Sequence, residues 1–219
     1  MKLKLTLPLI ALSTFSGMLS QLYMTLAIPQ VANSAQVVTQ EDYLILPKQV
    51  GKISRQTTKQ DLIRWFGSTN LQDFIAHGAE GEGNYPATRI LRGGNRSLEV
   101  LWIDDKQKQA NIVRVYDSRW HTKEGIQIHT SVVQLQRMFG QFRFFGFEWD
   151  YGGNLIVGNR KLDEYRKHYS LDFWIGLPEG RCNHLSQDCQ VVIGEQQLSS
   201  TNAAVNRLNA EIVFLYVVL

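Results

Sequence analysis

Charge is missing from the start of this chain. No charged residue appears between Lys4 and Glu41. An unbroken apolar run is missing as well. Leu5 to Ile28 is long enough for a membrane span, which takes about 20 residues, but Ser13, Thr14, Ser16, Ser20 and Gln21 interrupt it. What remains is a positive start at Lys2 and Lys4, an apolar stretch, and a run of small residues, Ala32, Asn33, Ser34 and Ala35. Ala32 and Ser34 sit at the −3 and −1 positions of a cleavage after Ser34. This layout predicts a secretory signal peptide over residues 1–34 and an exported protein, periplasmic or extracellular. The alternative is an uncleaved anchor. No cysteine stands at the cleavage point, which disfavours a lipoprotein.

Cysteine is scarce. There are two, Cys182 and Cys189, in a polar segment. In an oxidising compartment such a pair is expected to form a disulfide, worth about 2–3 kcal/mol for a loop this short. Metal-binding patterns are absent: His77, His121, His129, His168 and His184 are scattered, and His184 alone adds too little to the cysteines for a zinc site. No nucleophile elbow, phosphate loop or dinucleotide fingerprint occurs. The expectation is no metal and no cofactor. Excess positive charge is thin too. Loss of Lys2 and Lys4 leaves 21 basic residues of the chain's 23, against 20 acidic. The densest basic stretch, Arg160, Lys161, Arg166 and Lys167, is interrupted by Asp163 and Glu164. It reads as a solvated edge or loop, and no nucleic-acid partner is expected. The acidic, glycine-rich stretch 78–84 lacks the ligand order of a calcium loop and reads as a mobile loop.

What is present is a segment written twice. Residues 51–67 and 125–140 align on Thr58 and Ser131, so that Leu62 matches Leu135, Phe66 matches Phe139 and Gly67 matches Gly140. Each Thr or Ser is a natural N-cap. Asp61 and Gln134, three residues on, complete capping boxes. Apolar residues follow at helical spacing, and Gly67 and Gly140 stand where a left-handed C-cap belongs. Each helix is too short to persist alone and must pack on sheet.

Strands are predicted at 87–92, 97–104, 111–117, 142–149, 154–157, 169–177, 189–194 and 211–219, with a short helix over Ser199 to Leu208. Glu211 to Leu219 is far too short for a membrane span. The fold class is α+β: two tandem helix-plus-antiparallel-strand repeats, short helices on one face of an antiparallel sheet of about seven or eight strands. The layout is a signal peptide at 1–34, a linker or strand at 35–50, a first repeat at 51–118 and a second at 119–219, in one globular unit.

A glycine, a hydroxyl N-cap, a leucine four residues on and an apolar–glycine pair, followed by antiparallel strands, resembles the repeats of the SmpA/OmlA and beta-lactamase-inhibitor-protein group. The residues that carry the resemblance are Gly51, Thr58, Leu62, Phe66 and Gly67, with Gly125, Ser131, Leu135, Phe139 and Gly140. It implies an exported, non-catalytic protein that presents a sheet to a protein partner. The chain departs from that group in lacking a lipid-anchor cysteine, and it also resembles exported bacterial proteins of no known function.

Two carboxylates, Glu148 and Asp150, would share one face of a strand, and such a pair can perform acid–base chemistry on a glycoside. Asp150 equally suits the hairpin turn Asp150-Tyr151-Gly152-Gly153. Aromatic residues are plentiful, with five Trp and ten Phe. Trp65 and Trp149 are assigned to the core, while Trp102, Trp120 and Trp174 are candidates for an exposed binding surface. Three readings remain: a binding or inhibitory module whose partner is a protein or an envelope polysaccharide; a cell-envelope carbohydrate-active enzyme or carbohydrate-binding protein using Glu148, Asp150 and surface aromatics; and a purely structural envelope protein with no small ligand. The uncovered face of the sheet decides between them.

Overall fold

The computed structural model of this chain describes residues 43–77, 83–184 and 186–219. The expected signal peptide, the start of the linker and most of the 78–84 stretch lie outside the described residues.

The elements follow in chain order. A short hairpin, β1 (Leu44–Leu46) and β2 (Gln49–Val50), precedes helix α1 (Lys59–Phe66). An antiparallel meander comes next: β3 (Leu71–His77), β4 (Asn84–Arg92), β5 (Asn95–Trp102) and β6 (Ala110–Val115). Then come β7 (His121–Thr122), α2 (Val132–Phe139), β8 (Arg143–Phe145) and β9 (Leu155–Ile156). Helix α3 (Arg160–Tyr169) leads into β10 (Leu171–Gly176), and α4 (Gln187–Gln190), β11 (Gln197–Ser199), α5 (Ala203–Arg207) and β12 (Glu211–Val218) complete the chain.

The fold is α+β, with one six-stranded antiparallel sheet in the order β10-β12-β6-β5-β4-β3. Two three-stranded sheets, β2-β1-β7 and β11-β8-β9, accompany it, in place of one sheet of seven or eight strands. β12 makes the long connection. Its residues Ile212, Leu215 and Val217 face the core and it pairs with both β10 and β6, so the C-terminus closes the sheet between two distant stretches of chain.

Alternation along each strand puts one set of side chains inward. Leu98, Val100 and Trp102 of β5, Val113 and Val115 of β6, and Phe173 and Ile175 of β10 join a single large core. The buried residues of the helices join the same core, among them Leu62, Leu135, Leu162, Cys189 and Val205. Among the described residues, the buried apolar side chains of the opposite face of the six-stranded sheet form a small cluster, Ala76, Ala87 and Leu101, packed by Phe74, Tyr85 and Ile112. Every member of that cluster comes from a strand. The helices lie on one side of the sheet, and the other side is left to its own side chains.

The two similar segments share their helix chemistry. Both capping boxes form: Thr58 with Asp61, and Ser131 with Gln134. Gly67 and Gly140 both end their helices with positive φ, 79° and 83°. Their ψ values of 142° and −168° are extended, so these are not left-handed caps but a conformation close to glycine-only. Beyond the caps the segments part. α1 leads into an edge strand of the six-stranded sheet, whereas α2 leads into the centre of a small one. Leu62 and Leu135 are both fully buried, but Phe66 is half-buried where Phe139 is inside.

Three predicted elements differ. Residues 160–167 are not a solvated edge but the start of α3. Its Asn159 cap and its inward Leu162, Tyr165 and Tyr169 outweigh the charges on its other face. Residues 189–194 are not a strand. Ser186 caps a short helix there by accepting from the Cys189 amide, and the Cys182–Cys189 disulfide closes the same loop. The 142–149 strand stops at Phe145: the Gly146 and Phe147 amides donate instead to the Gln196 and Val192 carbonyls, and Glu148, with a φ of 63°, turns the chain away.

Candidate functional site

The open face of the six-stranded sheet collects polar and aromatic side chains in register. One row takes a residue from every strand: Gln72, Arg89, Glu99, Arg114, Tyr216 and Asp172. All six sit at paired positions, so neighbours are about 4.8 Å apart across the strands. The centre of the row is Glu99, a carboxylate that is only 2% exposed. A buried charge needs partners, and Glu99 has four. Arg89 donates to its Oε1 through Nε at 3.1 Å and Nη2 at 3.0 Å. Arg96 donates to the same oxygen at 3.4 Å, Arg114 lies 3.8 Å from Oε2, and the Tyr116 hydroxyl donates to Oε2 at 3.0 Å. Burial, with Glu99 beside it, pushes the Tyr116 phenol up to about 12.

Beside this row runs an aromatic one. Trp174 of β10 meets Phe214 of β12 at 4.9 Å between ring centroids, and Phe214 meets Tyr116 at 6.1 Å. Tyr216 lies 5.9 Å from Phe214. The rings are inclined to one another, at 42° for Trp174–Phe214 and 66° for Tyr116–Phe214. Guanidiniums lie over them: Arg96 is 3.6 Å from the Tyr116 centroid, Arg114 is 5.9 Å from Phe214 and Arg89 is 4.7 Å from Phe74. Val213, 41% exposed, covers Gly176, where a Cβ would meet its Cγ2 at 2.5 Å.

Of the three tryptophans named as candidate surface, Trp174 belongs to this face. Trp102 and Trp120 are inside, 1% and 4% exposed, and offer no surface to a partner. Their indole N–H groups explain the placement. Trp102 donates to Thr88 Oγ1 at 3.0 Å, and Thr88 donates to Asp73 at 2.6 Å. Trp120 donates to Ser97 Oγ at 3.1 Å, and Ser97 donates to Asp117 at 3.1 Å. Each carboxylate is held by a cation, Lys59 for Asp73 and Arg119 for Asp117. Burial opposes ionisation at both, but the hydrogen bonds from Lys59 and Thr88, and from Arg119, outweigh it, and both carboxyls stay below their usual range. Trp65 and Trp149, assigned to the core, are only half-buried.

Glu148 and Asp150 are both exposed and lie in the loop after β8, not on a strand face. Among the described residues neither has a hydrogen-bond or ion-pair partner. The turn that Asp150 opens is held by backbone bonds, Gly152 to the Trp149 carbonyl and Asn154 to that of Tyr151. Gly153 is indispensable in it, since a Cβ there would fall 1.8 Å from the Ile175 carbonyl oxygen. Trp149 and Tyr151 meet edge-on at 5.4 Å beside the two carboxylates. A shallow cleft of about 220 Å³ is lined by Gln141, Arg143, Val157 and Asn159 among others, and it includes neither carboxylate. Among the described residues no cluster of His, Cys, Asp and Glu could hold a metal ion, and no helix is long and apolar enough to cross a membrane.

The sequence reasoning missed Arg89, Arg96, Arg114, Glu99, Tyr116, Phe214 and Tyr216. The signal was one charged residue, Glu99, inside the apolar run Leu98 to Trp102. Its partners are named only by strand register.

No protein family matches this chain, and no curated protein sequence matches it. Among solved structures, the uncharacterized protein yfeY from Escherichia coli is similar over 83% of this chain and 100% of its own, at 10% identity and a TM-score of 0.43. A likeness that distant carries no functional argument.

Proposed function

We propose that this is an exported, non-catalytic binding module that docks a protein partner on the open face of its six-stranded sheet. The observation that carries the reading is the composition of that face. Trp, Tyr, Phe and Arg are the residues that dominate binding energy at protein interfaces, and they stand here side by side on a rigid, paired scaffold. The rings are inclined to one another, and guanidiniums lie over Tyr116 and Phe214, so the row makes a poor flat platform for sugars, which favours a protein over a polysaccharide. The resemblance to sheet-presenting exported modules agrees, and a disulfide suits an oxidising compartment. The test is a comparative pull-down from envelope extract with the wild-type protein and a Trp174→Ala/Phe214→Ala variant. One protein should be retained by the first and lost from the second. Equal retention by both would place the docking surface elsewhere.

A second reading is recognition or hydrolysis of an envelope carbohydrate at the 146–153 loop. Its one supporting observation is the Trp149–Tyr151 ring pair beside Glu148 and Asp150. Glycan turnover that disappears in Glu148→Gln/Asp150→Asn would favour it over the docking module.

A further inference from the structure

Three guanidiniums converge on one carboxylate at the centre of the open face. Arg89, Arg96 and Arg114 against Glu99 leave a formal excess of two positive charges. The other carboxylate of the row, Asp172, is already engaged by Arg166 at 2.6 Å. A guanidinium carries five N–H donors in a fixed fork. Arg89 uses Nε and Nη2 on Glu99, and Arg96 uses Nη1. Arg114 pairs with Glu99 at a distance beyond hydrogen bonding. Most donors of the three are therefore unspent among the described residues. Arg96 is exposed, and Arg89 and Arg114 are half-buried, so these donors reach the surface.

Glu99 acts here as a positioning residue. Without it, three like charges on neighbouring strands would repel one another. With it, they are held at strand spacing, their guanidiniums lying over Phe74, Tyr116 and Phe214. Preorganised donors lose less freedom on binding, and arginine recognises carboxylates through paired N–H bonds.

We infer that the occupant of this face is an acidic segment of another protein. Its carboxylates take the unspent N–H groups of Arg89, Arg96 and Arg114, and its apolar side chains meet Trp174, Phe214 and Val213. This rests on the docking reading above and adds the charge of the partner. Charge complementarity carries it, and the inclination of the rings, with Tyr116 and Phe214 already under guanidiniums, favours a peptide over a carboxylated glycan.

The test is titration of the purified protein with four probes: a soluble glutamate–tyrosine copolymer, an uncharged serine–tyrosine peptide, polygalacturonate, and phosphatidylglycerol vesicles. The copolymer should bind best, and its binding should weaken steeply between about 50 mM and about 500 mM salt. Arg96→Gln/Arg114→Gln should weaken it about tenfold or more, equal to about 1.4 kcal/mol. Thermal melts establish that this variant is folded. Arg96→Glu, at an exposed position, gives the same loss if the double variant is not. The inference is overturned if the copolymer does not bind, or if either folded variant binds it as wild type does. It is also overturned if polygalacturonate or the vesicles bind as tightly, which would make the occupant a glycan or a membrane. Should the uncharged peptide bind as well as the copolymer, and be lost in Trp174→Ala, the docking face stands and only its acidic partner falls. Should no probe bind and the pull-down also fail, both fall.

Discussion

Two tryptophans show how a residue's polar handle decides its place. An indole buries a large apolar area but brings one N–H that must be satisfied. Trp102 and Trp120 each reach a hydroxyl, and each hydroxyl reaches a carboxylate held by a cation. Sequence could not assign these tryptophans to the core, because Thr88 and Asp73 meet Trp102 only once β3, β4 and β5 are in register. Thr88→Val should keep the volume of a fully buried side chain but strand the indole N–H and remove a donor to Asp73. A buried unsatisfied donor costs about 1–3 kcal/mol, so a loss of that size is expected in urea unfolding. Ser97→Ala should cost a similar amount through Trp120. Losses near zero for both would mean that water replaces the hydroxyls.

Short helices were the most legible elements. The capping boxes at Thr58 and Ser131, the buried leucines and the terminal glycines all follow from local chemistry, and local chemistry is what one sequence displays. α3 was hidden because its charges outnumber its inward residues, and α4 because a four-residue helix has no period. The expected tandem repeat goes no further than its helices. Their caps match, but the strands after them join different sheets, and strand pairing is non-local. The difference has an energetic consequence. Phe139 is 8% exposed and packs against Tyr165 at 5.0 Å, whereas Phe66 is half-buried. Phe139→Ala should cost about 3–5 kcal/mol, and Phe66→Ala clearly less. Equal losses in denaturant titrations would restore the equivalence that the sequence alone suggests.

At the scale of the molecule, the α+β class, the helices on one face of the sheet and the disulfide were readable in the sequence, and the arginine and aromatic rows on the open face, Trp174 apart, were not. The helices and both small sheets contribute to one core against the inner face of the large sheet, and the outer face is left with a mixed row of arginines and aromatics around Glu99. Trp174 was among the named candidates, but its neighbours come from β4, β5, β6 and β12, brought together by pairing across more than a hundred residues. The central claim is that this outer face meets a protein partner. A photo-cross-linking amino acid placed at Val213, 41% exposed on that face, tests it against one placed at Val157, 74% exposed elsewhere. In cells, position 213 should yield one discrete cross-linked protein and position 157 should not. The same product from both positions, or a product from 157 alone, would contradict the account.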